Sequence, residues 1–310
     1  MWRKYCRRNK RANTQMKTNK IKWIFYGTTE FSVIVLEELR SKGFVPSLVV
    51  TVPDRPKGRY LATRSPSVKV WAERESVLVI QPEKLSDLKT IEEIKKYSAD
   101  VFVVFSYGKI IPQNILDIPK HGTLNLHPSL LPKLRGPSPI KSAILSENET
   151  GVTIIKLDAE MDHGPILAQE NVEVSEWPPY ESDLENKLAH EGGKLLAKIL
   201  PDWVAGKIEG KEQNHTEATY CKMIEKKDGE INLEDNAELN LRKIRAFHIW
   251  PTSYFYHANE NTHLRPGYGG QGKRIIIKRA HIENGQLVLD SVVPEGKKEM
   301  SYRDFLRGKK

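Results

Sequence analysis

Cysteine is nearly missing from this chain: Cys6 and Cys221 are the only two in 310 residues. A disulfide scaffold is thereby excluded, and such usage suits a reducing compartment. Neither an HExxH pattern nor a paired-cysteine spacing occurs, so no metal is expected. No run of 18 or more apolar residues exists either, which leaves no candidate for a membrane-spanning helix and no membrane partner.

Acidic side chains are absent from residues 1–20, which hold eight Lys/Arg. The formal charge of +9 resides almost wholly there, because the rest of the chain carries 41 Lys/Arg against 40 Asp/Glu. A polyanion site in the body must therefore be a local patch. The leader is also poor in apolar residues and is expected to be disordered. Three origins stay open for it: an RNA-binding arm, an organellar transit segment, or a start placed too early, with Met16 as the initiator. The last is preferred.

What is present reads as an α/β chain. Lys22–Gly27 is a compact apolar strand, followed by Thr28 or Thr29 as N-cap of a helix through Val35, Leu36 and Leu39. Pro46–Val52 is the next strand. The G-x-G-x-x-G fingerprint is missing after strand one, which disfavours a nicotinamide cofactor. Val77–Ile80, Val101–Phe105, Gly122–Leu126 and Gly151–Ile155 read as further strands, and Ile166–Val174 as an antiparallel edge. Glu181–Val204 is a long amphipathic helix, kinked or re-laid at Pro201. The polar stretch 206–217 is the linker candidate. Beyond it come one helix, Asn236–Phe247, with Leu239, Leu241, Ile244 and Ala246 inward, and several short strands. The expected architecture is a Rossmann-like, mostly parallel sheet domain over 21–205 and a small OB-like β-barrel over 218–310.

Two segments carry candidate chemistry. The long connection 53–69 holds Arg55, Lys57, Arg59, Arg64 and Lys69 against one acid, Asp54, and leaves the carboxyl end of a strand, where α/β sheets bind ligands. In Thr123–His127 the side chains alternate, so Asn125 and His127 share a face at the strand end. Alone, such a pair is more often a satisfied buried Asn and His than a site.

The wider pattern changes that balance. Asn125-Leu126-His127-Pro128-Ser129-Leu130-Leu131-Pro132, Arg135-Gly136, Pro139-Ile140 and then Met161-Asp162-x-Gly164 resemble the signature of folate-dependent formyltransferases. Phe25-x-Gly27-Thr28, Pro53-Asp54-Arg55-Pro56, Tyr107-Gly108-Lys109-Ile110, Arg242–Ala246, Trp250-Pro251, Pro294–Lys298 and Asp304–Gly308 resemble the branch that acts on methionyl-tRNA. The likeness covers residues 21–310 in the family's order.

The resemblance implies direct transfer of a formyl group from 10-formyltetrahydrofolate to the α-amine of initiator methionyl-tRNA. It implies Asn125 and protonated His127 as donors to the tetrahedral oxyanion, with Asp162 pairing with His127 and relaying protons through water. Ser129, Leu130, Leu131 and Pro132, together with Tyr107 and Gly108, are implied to contact the folate. Arg55, Lys57, Arg59 and Arg64 of the 53–69 loop and Arg303 and Arg307 near the C-terminus are implied to contact the tRNA. A cytoplasmic bacterial monomer is expected, or an organellar matrix protein if the leader is a transit segment. The chain departs from the family at His163, where Thr is more common, and in a 53–69 loop with less glycine and basic character. Formylation of a nucleotide-linked aminosugar, and a catalytically dead RNA-binding relative, are the rival readings.

Overall fold

The computed structural model describes residues 21–57, 62–257 and 272–308. The basic leader with its candidate start at Met16, and Arg59, lie outside the described residues.

The N-terminal part runs β1 (Trp23–Gly27), α1 (Glu30–Ser41), β2 (Leu48–Val50), β3 (Arg55–Lys57), β4 (Ala62–Arg64), α2 (Ser67–Arg74), β5 (Val79–Ile80), α3 (Leu88–Lys95), β6 (Val101–Phe105), α4 (Gln113–Leu116), β7 (Thr123–His127), α5 (Pro139–Ser146), β8 (Gly151–Lys156), β9 (Ile166–Asn171) and α6 (Glu181–Val204). Seven strands form one sheet in the order β5-β2-β1-β6-β7-β8-β9. The first five run parallel, while β8 and β9 add antiparallel at one edge. Strand alternation builds a core on each face: Trp23 and Phe25 point toward α1 and α6, Ile24 and Tyr26 toward the opposite layer. Thr29 caps α1 by accepting the Ser32 amide at 3.4 Å.

Strand order reverses between β1 and β6, since β2 and β5 lie to one side of β1 and β6 and β7 to the other. Ligand crevices in such sheets lie beyond the carboxyl ends of the strands at this reversal. Helix α6 runs on through Pro201 to Val204 as one helix, so it is not re-laid there. Near its middle, Gly193 lets α1 approach so closely that an added Cβ would sit 2.8 Å from Glu38 Cβ. The close packing of the two helices there offsets the roughly 1 kcal/mol that a mid-helix glycine costs.

The C-terminal part holds α7 (Ala237–Ala246), β10 (Tyr254–His257), β11 (Lys273–Glu283), β12 (Gln286–Pro294), β13 (Met300–Ser301) and α8 (Tyr302–Arg307). Its strands form a separate small antiparallel sheet ordered β10-β11-β12-β13. Helix α7 covers its apolar face through Leu241 and Ile244. Leu239, expected inward, is 57% exposed; it lies in the first turn of α7, where Asn236 caps its amide, and the buried face begins with Asn240 and Leu241. Among the described residues no helix is long and apolar enough to cross a membrane.

Candidate active site

The end of β7 delivers Asn125 and His127 to the crevice. His127 is buried, and its Nε2 donates to the carbonyl of Leu134 at 2.9 Å. That bond occupies Nε2 with a backbone acceptor and leaves Nδ1 as the nitrogen facing the cavity. Nδ1 lies 3.5 Å from Asp162 Oδ1, and Asn125 Nδ2 lies 3.4 Å from the same oxygen. Two donor positions thus converge on one point at the strand end. Asp162 Oδ2 accepts the Gly136 amide at 2.8 Å, which fixes the rotation of the carboxylate.

Asp162 comes from the loop between β8 and β9 and has φ +50°, a left-handed conformation that Asp tolerates at some cost. Gly164 is needed two residues on, because a Cβ there would lie 1.9 Å from the carbonyl oxygen of Lys156. On the other wall the 128–136 loop is held by side chains of β8 and β9. Thr153 Oγ1 donates to the Ser129 carbonyl at 2.6 Å and accepts the Leu131 amide at 3.2 Å, while Gln169 donates to the Leu131 carbonyl at 2.8 Å. Gly136 (φ +115°) carries the chain past Cys221, whose carbonyl oxygen would lie 2.8 Å from a Cβ.

Asn125, His127 and Asp162 line one cavity of about 270 Å³ with Phe105, Ser106, Pro128, residues 136–141, Glu181 and Glu185. Of the residues the resemblance implied for folate, none of Ser129, Leu130, Leu131, Pro132, Tyr107 and Gly108 is part of that lining. Ser129 and Leu131 are buried and hold the loop's own shape. The Tyr107 ring packs against Tyr26 in the core, where burial pushes its hydroxyl up to about 12. Gly108 adopts φ +76° just after it. Of the residues the resemblance implied for tRNA, exposed Arg55 and Arg64 face each other across the antiparallel β3–β4 pair. Asp54 anchors its base by accepting from Lys69 Nζ at 2.7 Å and Gln81 Nε2 at 2.6 Å. Arg303 and Arg307 are exposed on α8.

Sequence reasoning did not single out the acid cluster on the cavity's far side. Glu181 is buried and pairs with Lys141, and burial still holds its carboxyl above the usual range. Glu185, one helical turn on, is pushed up to about 7 by burial first and by the charge of Glu181 second. An i, i+4 pair of acids on a helix was the only available signal, and that pattern usually marks a solvated face. Gln213 and Arg135 were also overlooked as a unit. Gln213 is buried and its Oε1 accepts from Arg135 Nε and Nη2 at 3.2 and 2.7 Å.

Comparison with known proteins accounts for both halves of the chain. The Formyl transferase family matches residues 19–200, and the Formyl transferase, C-terminal domain family matches residues 223–310. A methionyl-tRNA formyltransferase of Halalkalibacterium halodurans is 36% identical over 305 residues, covering 93% of this chain and 95% of that one. A methionyl-tRNA formyltransferase of Thermodesulfovibrio yellowstonii is 37% identical over 296 residues, covering 93% and 96%. Among solved structures, a sugar N-formyltransferase from a Shewanella species superposes with a TM-score of 0.60 at 18% identity, covering 90% of this chain and 99% of that one, which is a likeness of fold. With its catalytic and C-terminal parts both matched and its relatives similar along nearly their whole length, this chain belongs to the formyl transferase family.

Proposed function

We propose that the protein transfers the formyl group of 10-formyltetrahydrofolate to the α-amine of initiator methionyl-tRNA. The carrying observation is the convergence of Asn125, His127 and Asp162 at the carboxyl end of β7, in a chain whose full-length relatives are methionyl-tRNA formyltransferases. The fork formed by Asn125 Nδ2 and His127 Nδ1 offers two donors to a formyl oxygen as it gains negative charge during attack by the amine. Asp162, fixed through Oδ2 by the Gly136 amide, keeps Oδ1 beside His127 Nδ1 and takes up the proton that the attacking nitrogen sheds, directly or through a water. The leaving nitrogen of the donor must gain a proton: protonated His127 gives it from Nδ1, and Asp162 Oδ1, 3.5 Å away, passes the proton it took from the amine to His127 and restores it.

A cavity of about 270 Å³ is at the small end for ligand pockets and suits the reacting end of a folate rather than the whole molecule. Ser129–Pro132, Tyr107 and Gly108 would then serve the folate by shaping the crevice walls more than by side-chain contact. The hairpin supports a polyanion partner: like charges opposed across a strand pair destabilise it unless a counter-charge arrives. Arg55 and Arg64, with Lys57 and Arg59 of the same connection, are proposed to grip the acceptor end of the tRNA, and Arg303 and Arg307 to hold its body. The protein is proposed to act as a monomer in the bacterial cytoplasm.

The test is transfer of labelled formyl from 10-formyltetrahydrofolate to a panel of methionyl-tRNA and nucleotide-linked aminosugars. Label is expected on methionyl-tRNA. Label on an aminosugar alone would replace the acceptor, and label on nothing would refute the enzyme reading.

A further inference from the structure

Gln213 lies between the two family matches, which end at residue 200 and resume at residue 223. It also lies in the polar stretch 206–217 that reads as a linker. In the fold it is only 5% exposed, and its side-chain amide uses its full bonding capacity. Nε2 donates to the backbone carbonyls of Asp162 and Gly164 at 2.9 and 2.7 Å. Oε1 accepts both Nε and Nη2 of Arg135. A guanidinium can only donate and a carbonyl can only accept, so the amide has one permitted orientation.

Arg135 is 1% exposed, and no ion pair among the described residues includes it. Its remaining partners are Tyr220 Oη at 3.3 Å and His215 Nδ1 at 2.9 Å. A buried cation without a carboxylate is costly to keep and is a poor device for stability alone. Its guanidinium holds Gln213, and Gln213 holds the loop that carries Asp162. His215 braces the same loop from outside: its ring stacks on His163 at 4.1 Å and 3°, while His163 Nδ1 bonds Asp158 at 2.8 Å.

From this arrangement we infer that Gln213, oriented by Arg135, is a positioning residue for formyl transfer, holding Asp162 at the fork of Asn125 and His127. The inference rests on the role of Asp162 proposed above. The segment joining the two halves of the chain is thereby part of the active site's support. Asp162 Oδ1 stands 3.4 and 3.5 Å from its two neighbours, a little beyond good hydrogen-bond range, so a small shift of the left-handed loop carries it out of reach. Misplacement by about 1 Å costs on the order of 100-fold in rate.

Gln213→Glu separates the two halves of the contact. It keeps an oxygen for Arg135, now charge-assisted, and removes both N–H donors from the carbonyls of Asp162 and Gly164. The expected result is a kcat roughly 100-fold lower, both KM values within about threefold, and a thermal midpoint at or near that of the wild type. Combined with Asp162→Asn, the loss should be no larger than for Asp162→Asn alone, because both changes act on one group. If Gln213→Glu does not fold, Gln213→Asn, which draws the amide one methylene short of the loop, should show the same kcat loss. A kcat within threefold of wild type, or losses that multiply with Asp162→Asn, would overturn the inference. A wild-type enzyme silent toward methionyl-tRNA, or an unimpaired Asp162→Asn, would instead overturn the function it rests on.

Discussion

The carboxylate of Asp162 is divided between two tasks: Oδ2 is tied at 2.8 Å to the amide of Gly136, and Oδ1 faces Asn125 Nδ2 at 3.4 Å and His127 Nδ1 at 3.5 Å. Each oxygen lies where the other half of the site needs it. Asp162→Asn can keep the Gly136 contact through its carbonyl oxygen but then turns an NH2 toward His127. A rate loss of roughly 10²–10⁴ is expected, with little change in the thermal midpoint. Single-turnover formylation together with a melting curve checks it, and an Asn variant at wild-type rate would remove Asp162 from the mechanism.

Arg242 of α7 joins the two parts of the molecule by donating to the carbonyls of Ile144 and Glu147 at 3.0 and 2.6 Å, at the end of α5. Those carbonyls have no partner further along their own helix. Arg242→Ala should destabilise the protein by about 1–3 kcal/mol, read by urea denaturation. Formylation at 25 °C should survive, because the contact lies at the C-terminal end of α5, whereas the cavity is lined by Pro139–Lys141 at its N-terminal end. Unchanged stability would show that water replaces the guanidinium at no cost.

Glu185 carries a stability dependence on pH. Its carboxyl is raised to about 7 in the fold, so the native state holds the proton more tightly than the unfolded chain. The sign follows directly: stability is greatest below the ordinary carboxylate range and declines as pH rises from about 4.5 through 7, where a buried charge must form. Glu185→Gln removes the penalty and should stabilise the protein at pH 8 by on the order of 2 kcal/mol while leaving pH 4.5 nearly unaffected. Denaturation midpoints at the two pH values decide this, and an equal gain at both would mean the effect is not ionic.

Arg55 and Arg64 oppose each other across a hairpin with no acid between them. Replacing both with Ala should raise KM for methionyl-tRNA and flatten its dependence on salt by about 1.5 in log–log slope, with kcat little changed. A salt dependence identical to wild type would move the tRNA grip elsewhere.

Much of this protein can be read before any coordinates. Buried strands such as Val101–Phe105 announce themselves as continuous β-branched and aromatic runs, and α6 as a long stripe with a defined start and end. Asn125 and His127 share a face because strand periodicity is two, and the pattern around them points to a formyl transferase. Local rules suffice for such features.

Tertiary structure decided the rest. Nothing in the polar segment GKIEGKEQNHTE marks Gln213 as buried, because its partners, Arg135 and the Asp162 loop, lie 78 and 51 residues away. The Ser129–Pro132 loop is held by Thr153 and Gln169 of neighbouring strands, partners that its own sequence does not name. Leu239 looked inward by spacing, yet in the first turn of α7 it is exposed, while Leu241 and Ile244 are buried. The sequence by itself determined most of the elements and their order, which depend on short-range periodicity, and its motifs carried the family. Only the fold could decide which distant residues come to lie beside Asn125, His127 and Asp162, since that depends on which surfaces the packed sheet and helices leave facing one another.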